Sequence, residues 1–158
     1  MFHRCFFRLF LISTLLIFTC QKGKETLIPE KTQKHIFEGE INGRGKAVGC
    51  HHISAINSGH SRIIAVISQP NQQKVYEAAV EIFDKKRSQW IRKDGRSSFY
   101  PDSWSKEKVL KEITSAFNNP DKISKGAKWE SISDSGIRIS GYTNEQGQIT
   151  TAYPIYKH

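Results

Sequence analysis

Apolar and polar positions along this chain follow two different periods, and the change from one to the other predicts its elements. From Val75 to Phe83 the apolar residues alternate: Tyr76, Ala78, Val80 and Ile82 share one face, with Glu77 and Glu81 on the other. That is the pattern of a strand with one buried side. The charged turn Asp84-Lys85-Lys86-Arg87 leads into Ser88–Lys93, which predicts a hairpin that Gly95 ends. Ser105 then stands in a capping position before Val109, Leu110, Ile113 and Phe117 at helical spacing, and Asn118-Asn119-Pro120 stops the helix. The two-residue period returns in Ile137–Tyr142 and Gln148–Tyr156, which flank a turn centred on Asn144–Gly147. Together these predict an α+β domain: a short N-terminal helical or irregular section, then antiparallel sheets and one clear helix. No internal repeat or low-complexity tract interrupts it.

The N-terminal residues follow neither period. Arg4 and Arg8 precede an apolar run from Leu9 to Phe18, broken only by Ser13 and Thr14. A helix needs about 20 apolar residues to cross a bilayer, so this run reads as a secretory signal over residues 1–19. Its end, Ile17-Phe18-Thr19-Cys20, resembles a bacterial lipoprotein signal, in which the cysteine after the cut is lipidated; Phe18 and Thr19 depart from the usual small residues. Residues 20–33 are polar and charged and contain Pro29, which predicts a flexible tether. The folded domain is expected over residues 34–158. The protein is then exported, as a cell-envelope lipoprotein or a secreted protein, and meets the membrane only through the lipid anchor. With Cys20 lipidated, Cys50 has no intramolecular partner for a disulfide.

Charge narrows the partners. The 158 residues suit one domain with a modest core. They carry 24 Lys plus Arg against 15 Asp plus Glu, a net charge of +9. Without residues 1–19, 22 basic residues stand against 15 acidic ones, leaving +7. Both signs are spread along the chain, so this is a solvated surface with a basic bias, not a polybasic tail. Such a surface favours polyanions: RNA, DNA or an anionic membrane.

Chemistry concentrates between His35 and His52, where three histidines and four glycines fall within one short stretch. Imidazole, with an unperturbed pKa of about 6.5, lets one ring accept a proton while another donates one near neutral pH. A histidine pair therefore suits attack of a ribose 2′-hydroxyl on its own phosphodiester, given a cation to offset charge on the phosphoryl oxygens. Zinc would need three or four ligands at compatible spacing, and consecutive Cys50, His51 and His52 do not supply it. A Cys50 nucleophile with His51 as base meets the same difficulty, because catalytic Cys and His come from separate segments. No metal site is assigned.

Four separated motifs, in order, resemble the EndoU family of endoribonucleases, found in eukaryotes, coronaviruses and bacterial toxin domains. His35-Ile36-Phe37-Glu38-Gly39-Glu40 is similar to the motif opened by the family's first catalytic histidine. Gly49-Cys50-His51, sixteen residues on, is similar to the Gly-x-His motif of the second, with His52 the competitor if the register slips by one. The segment Gly95–Ser105 resembles the one carrying the family's catalytic lysine; Arg96 stands at that position, and Lys93 is the alternative. Gly147-Gln148-Ile149-Thr150-Thr151-Ala152-Tyr153-Pro154 is similar to the family's final hairpin strand, which presents a Ser or Thr and a Tyr two residues later.

The resemblance covers residues 34 to 156. It implies an α+β cleft and cleavage of single-stranded RNA at uridines, leaving a 2′,3′-cyclic phosphate. It assigns His35 and His51 as the acid and base, in either order, and Arg96 as the electrostatic clamp. Thr151 contacts the uracil edge and Tyr153 the nucleoside, with Ser98 and His52 as further substrate contacts. No cofactor is required, although Mn²⁺ stimulation belongs to the same expectation, as do single-stranded RNA or tRNA as substrate and an immunity protein as partner. The rival reading is a catalytically inactive RNA- or polyanion-binding surface lipoprotein, prompted by arginine in the lysine position.

Overall fold

Ten strands and three helices lie among residues 27–157, which the computed structural model describes. The expected signal over residues 1–19, Cys20 and the tether up to residue 26 lie outside the described residues. All strand pairs are antiparallel. With the helices at Glu30–Phe37 (α1), Ser54–Asn57 (α2) and Lys106–Asn118 (α3), they make the expected α+β fold.

Three sheets organise it. Glu40–Ile41 (β1) and Ala47–Val48 (β2) form a small hairpin. Ser61–Ser68 (β3) lies along one edge of Tyr76–Asp84 (β4), while Gln89–Arg92 (β5) and Ser97–Phe99 (β6) follow one another along β4's other edge. Ile123–Lys125 (β7), Lys128–Ile132 (β8), Arg138–Thr143 (β9) and Ile149–Pro154 (β10) pair in sequence order. The alternation in β4 buries Tyr76, Ala78, Val80 and Ile82 as its pattern predicts.

The domain begins earlier than residue 34. Residues 27–33 belong to the fold instead of a tether: Ile28 is buried and Leu27 accepts a backbone hydrogen bond from Ile149. Pro29, read as a tether residue, stands at the N-cap of α1, beside the helix start where proline's fixed φ and missing N–H are tolerated. The helix hides in the sequence because only Thr32, Ile36 and Phe37 are buried, and the Thr32 hydroxyl donates to the Ile149 carbonyl at 2.8 Å.

Helix α3 starts where expected, with Ser105 Oγ accepting from Lys108 N at 3.2 Å. Its buried face includes a carboxylate, Glu112, beside Val109, Ile113 and Ala116. Burial alone would push Glu112 up, but hydrogen bonds from Lys108, Ser133 and Ser135 bring it down to about 2. That carboxylate ties α3 to the β8–β9 turn.

Two apolar clusters result. One joins α1 and α3 to the β7–β10 sheet around Trp129, Tyr100 and Ile139. The other joins α2 to the β3–β6 sheet around Cys50, Val80 and Phe99. Strand β10 packs against both α1 and β6, and the cleft described next is lined from both sides of that contact.

Candidate active site

The sixteen-residue spacing between His35 and His51 is the length of one excursion away from the end of α1 and back. His35 lies in the last turn of α1, and Gly39 follows the C-cap at φ +73°. The β1–β2 hairpin then reverses the chain, so that Cys50 N donates to His35 O at 3.0 Å and His51 N to Ile36 O at 2.8 Å. Gly49 and Cys50 make this return in successive left-handed conformations, φ +75° and +65°. For Gly49 that is inexpensive, and it also meets a close approach: a Cβ there would lie 2.1 Å from the His35 carbonyl oxygen.

The two histidines have different surroundings. His35 Nδ1–H donates to Glu40 Oε1 at 3.0 Å. His51 Nδ1–H donates to the Ser98 carbonyl at 2.8 Å, which leaves Nε2 as the acceptor of that ring. Burial, then the charge of Lys93, hold His51 well below its usual pKa; the Ser98 bond opposes this and the charge of His35 adds to it. Tyr153 stacks on His51 with ring centroids 5.5 Å apart.

Lys93 and Arg96 part company in the connection between β5 and β6. Lys93 turns inward, where Nζ donates to Gly49 O at 2.8 Å and Ser97 Oγ at 2.6 Å. Burial brings it down to about 8, with Cys50 acting weakly the other way. Two of the three ammonium N–H groups are thus engaged, leaving one for a substrate oxygen. Arg96 turns outward and pairs with Glu77 at 3.0 Å, its side chain 60% exposed.

One cavity of about 570 Å³ is lined by His35, His51, Lys93, Ser98, Thr151 and Tyr153, with Arg96 and Glu77 also in its wall. Its volume suits a nucleotide-sized ligand, within the range of about 300–1,000 Å³ for small-molecule sites. Thr151 and Tyr153 reach it together because alternate residues of β10 share a face.

His52 is the exception among the expected substrate contacts. It points away from the cavity, 4% exposed, with Nε2–H donating to Trp104 O at 3.0 Å and Nδ1 accepting from Ser54 N at 3.2 Å. The substrate-contact assignment is corrected accordingly: consecutive residues after a left-handed turn diverge, and the ring of His52 crosses Phe37 edge-on instead.

Three residues gained roles that the sequence pattern hid. Glu40 sits in a motif read for its histidine, yet five residues on it is His35's partner. Glu77 sits on the polar face of an alternating strand, which here is cavity wall as well as solvent. Ser97, fully buried, braces Lys93. Among the described residues no group of three or more His, Cys, Asp or Glu side chains is placed to hold a metal ion.

Residues 29–156 match the family described as bacterial EndoU nuclease. The chain is 36% identical over 124 residues to a protein named "Toxin" from Bacillus cereus, a match covering 78% of this chain and 22% of that relative. The chain thus spans about a fifth of the length of the relative it matches. No solved structure matches.

Proposed function

Because this chain belongs to the bacterial EndoU nuclease family, we propose that its cleft cuts single-stranded RNA at uridines, leaving a 2′,3′-cyclic phosphate and a 5′-hydroxyl. The observation that carries this is the unequal pair of histidines beside one buried lysine. His51 is held neutral near pH 7 with Nε2 open as acceptor, which suits a general base. His35, whose Nδ1–H a carboxylate holds, suits the ring that carries a second proton and delivers it from Nε2. The charge of one disfavours charge on the other, which keeps the two roles apart.

The steps balance. His51 takes the 2′ proton, the 2′-oxygen bonds to phosphorus, and the bond from phosphorus to the 5′-oxygen breaks. His35 protonates that leaving oxygen. The free N–H of Lys93 faces the charge gathering on the phosphoryl oxygens. Thr151 meets the uracil edge, and Tyr153, against His51, walls the nucleoside. An arginine in the lysine's place would favour a non-catalytic binder; Lys93 in the cleft removes that ground. No cofactor enters the scheme, and Mn²⁺ belongs to it only as a stimulant. Export through residues 1–19, anchoring at Cys20, tRNA as a substrate and an immunity protein as partner complete the proposal, the last supported by the relative's printed name.

Analysis of the ends made from an oligouridine tests the chemistry. Cyclic phosphate ends are expected, with no cleavage where the ribose lacks its 2′-hydroxyl. Ends bearing a 3′-hydroxyl, or cutting of the 2′-deoxy substrate, would refute it.

Lys93 adds to the alkaline side, on which the proton that His35 donates must also be kept. Its ammonium is the working form, so kcat/KM falls as pH rises through about 8. Lys93→Arg keeps its charge at any working pH, so the remaining activity of that variant loses the part of the fall near 8 and keeps the part that follows from His35. A limb unmoved by the substitution would exclude Lys93 as its source.

A further inference from the structure

We propose that Arg96 and Glu77 form a second phosphate subsite at the mouth of the cleft, one that binds the phosphodiester beside the one being cut. The proposal rests on the reading of the cleft as an RNA-cleaving site. Two cations line this cavity, and they are held in different ways. Lys93 is buried, bonded to Gly49 and Ser97, and close enough for its charge to act on His51. The cation place beside the reacting phosphate is therefore filled. Arg96 follows three residues later, after a turn at Gly95 with φ +75°, and lines the same cavity from its exposed side.

Arg96 does not hang free there. Its Nη1 donates to Glu77 Oε2 at 3.0 Å, and that same oxygen accepts from Ser68 Oγ at 2.8 Å. Glu77 is itself fixed by strand pairing on both sides, opposite Ser68 on β3 and Ser98 on β6. Exposed ion pairs of this kind add little stability, so stability is a poor account of such a chain of contacts. Its effect is to hold a long, mobile side chain in one pose before a ligand arrives, which removes part of the ordering cost of binding.

A guanidinium has five N–H donors on a planar fork. One meets Glu77; the side chain is 60% exposed and lines the cavity, so the remaining donors can give a phosphate two parallel hydrogen bonds. The guanidinium then bridges carboxylate and phosphate, so Glu77 need not leave. Lysine could not do this, being a single charged point. A strand whose scissile phosphate lies at His35, His51 and Lys93 must continue out of the cavity, and on the Arg96 side its next phosphate meets this fork.

Substrate length tests the idea. The wild type, Arg96→Ala, Arg96→Lys and Glu77→Gln are compared on a uridine dinucleotide and on two trinucleotides, each with one added phosphodiester, on the 5′ or the 3′ side. The wild type should gain about tenfold in kcat/KM from the added phosphate on one side. Arg96→Ala should lose most of that gain, and Arg96→Lys and Glu77→Gln part of it. Binding of the 2′-deoxy trinucleotide should show a salt slope smaller by about one in Arg96→Ala, the mark of one lost phosphate contact. An equal loss on all three substrates would place Arg96 at the scissile phosphate and overturn the subsite while leaving the nuclease reading intact. A wild type that cuts nothing yet binds with the expected slope change would sink the nuclease reading and keep the subsite. An unchanged slope with unchanged length dependence would remove the subsite.

Discussion

Alanine in place of His51 should lower RNA cleavage by about 10²–10⁴-fold, the range for loss of a general acid or base, and should leave RNA binding in place. Binding survives because the ring is neutral in the folded protein, and attraction to phosphate comes from lysines and arginines. His35→Ala should fall in the same range. The double variant should be little worse than the poorer single one, since two groups that act in one transition state are not additive. His52 supplies the internal control. Its ring is spent on Trp104 and Ser54, so His52→Ala should lower the melting temperature more than the rate of the folded enzyme. Single-turnover rates and thermal melts on the four variants decide the matter: a rate loss for His52→Ala as deep as for His51→Ala would mean that the wrong ring has been assigned.

Gly49→Ala should be the most damaging small substitution in the fold. A side chain at φ +75° costs about 1–2 kcal/mol by itself. The new Cβ would also meet the His35 carbonyl oxygen at 2.1 Å, a backbone atom that cannot swing aside. Together these place the loss at about 4 kcal/mol or more, in the exceptional tail for single substitutions, with a fall of about 10 °C or more in Tm. Gly59→Ala isolates the conformational part, because Gly59 has φ +72° and nothing within 4 Å of its would-be Cβ. Comparable melting temperatures for the two variants would show that crowding at Gly49 is relieved by movement of α1.

What could be read in advance depended on how regular each segment is. The β4–β5 hairpin, α3 and the β9–β10 hairpin announce themselves because their apolar residues recur at strand or helix spacing, although polar Asp84, Glu112 and Ser140 are buried among them. In β8 the buried positions are Trp129 and Ser131, and a serine breaks the visible alternation. Strand β3 fails the opposite way: Ile64, Val66 and Ile67 are 41–47% exposed on an edge strand with two register shifts. Helix α1 was obscured by its charges. At the site, motif order was enough to bring His35, His51, Ser98, Thr151 and Tyr153 to one cavity. It could not choose between Lys93 and Arg96, because the link from β5 to β6 has no period to say which side chain turns in. Nor could it separate His51 from His52, whose divergence depends on partners about fifty residues away.

The cleft draws its walls from places far apart along the chain. His35 belongs to the first helix described, His51, Lys93 and Ser98 to the middle, and Thr151 and Tyr153 to the last strand. A polypeptide still being synthesised has both histidines long before it has β10. Until that strand joins α1 and β6, the nucleoside side of the cleft has no wall and Tyr153 is not yet over His51. A cleft complete enough to cut RNA as proposed therefore forms only once translation has passed the final strand.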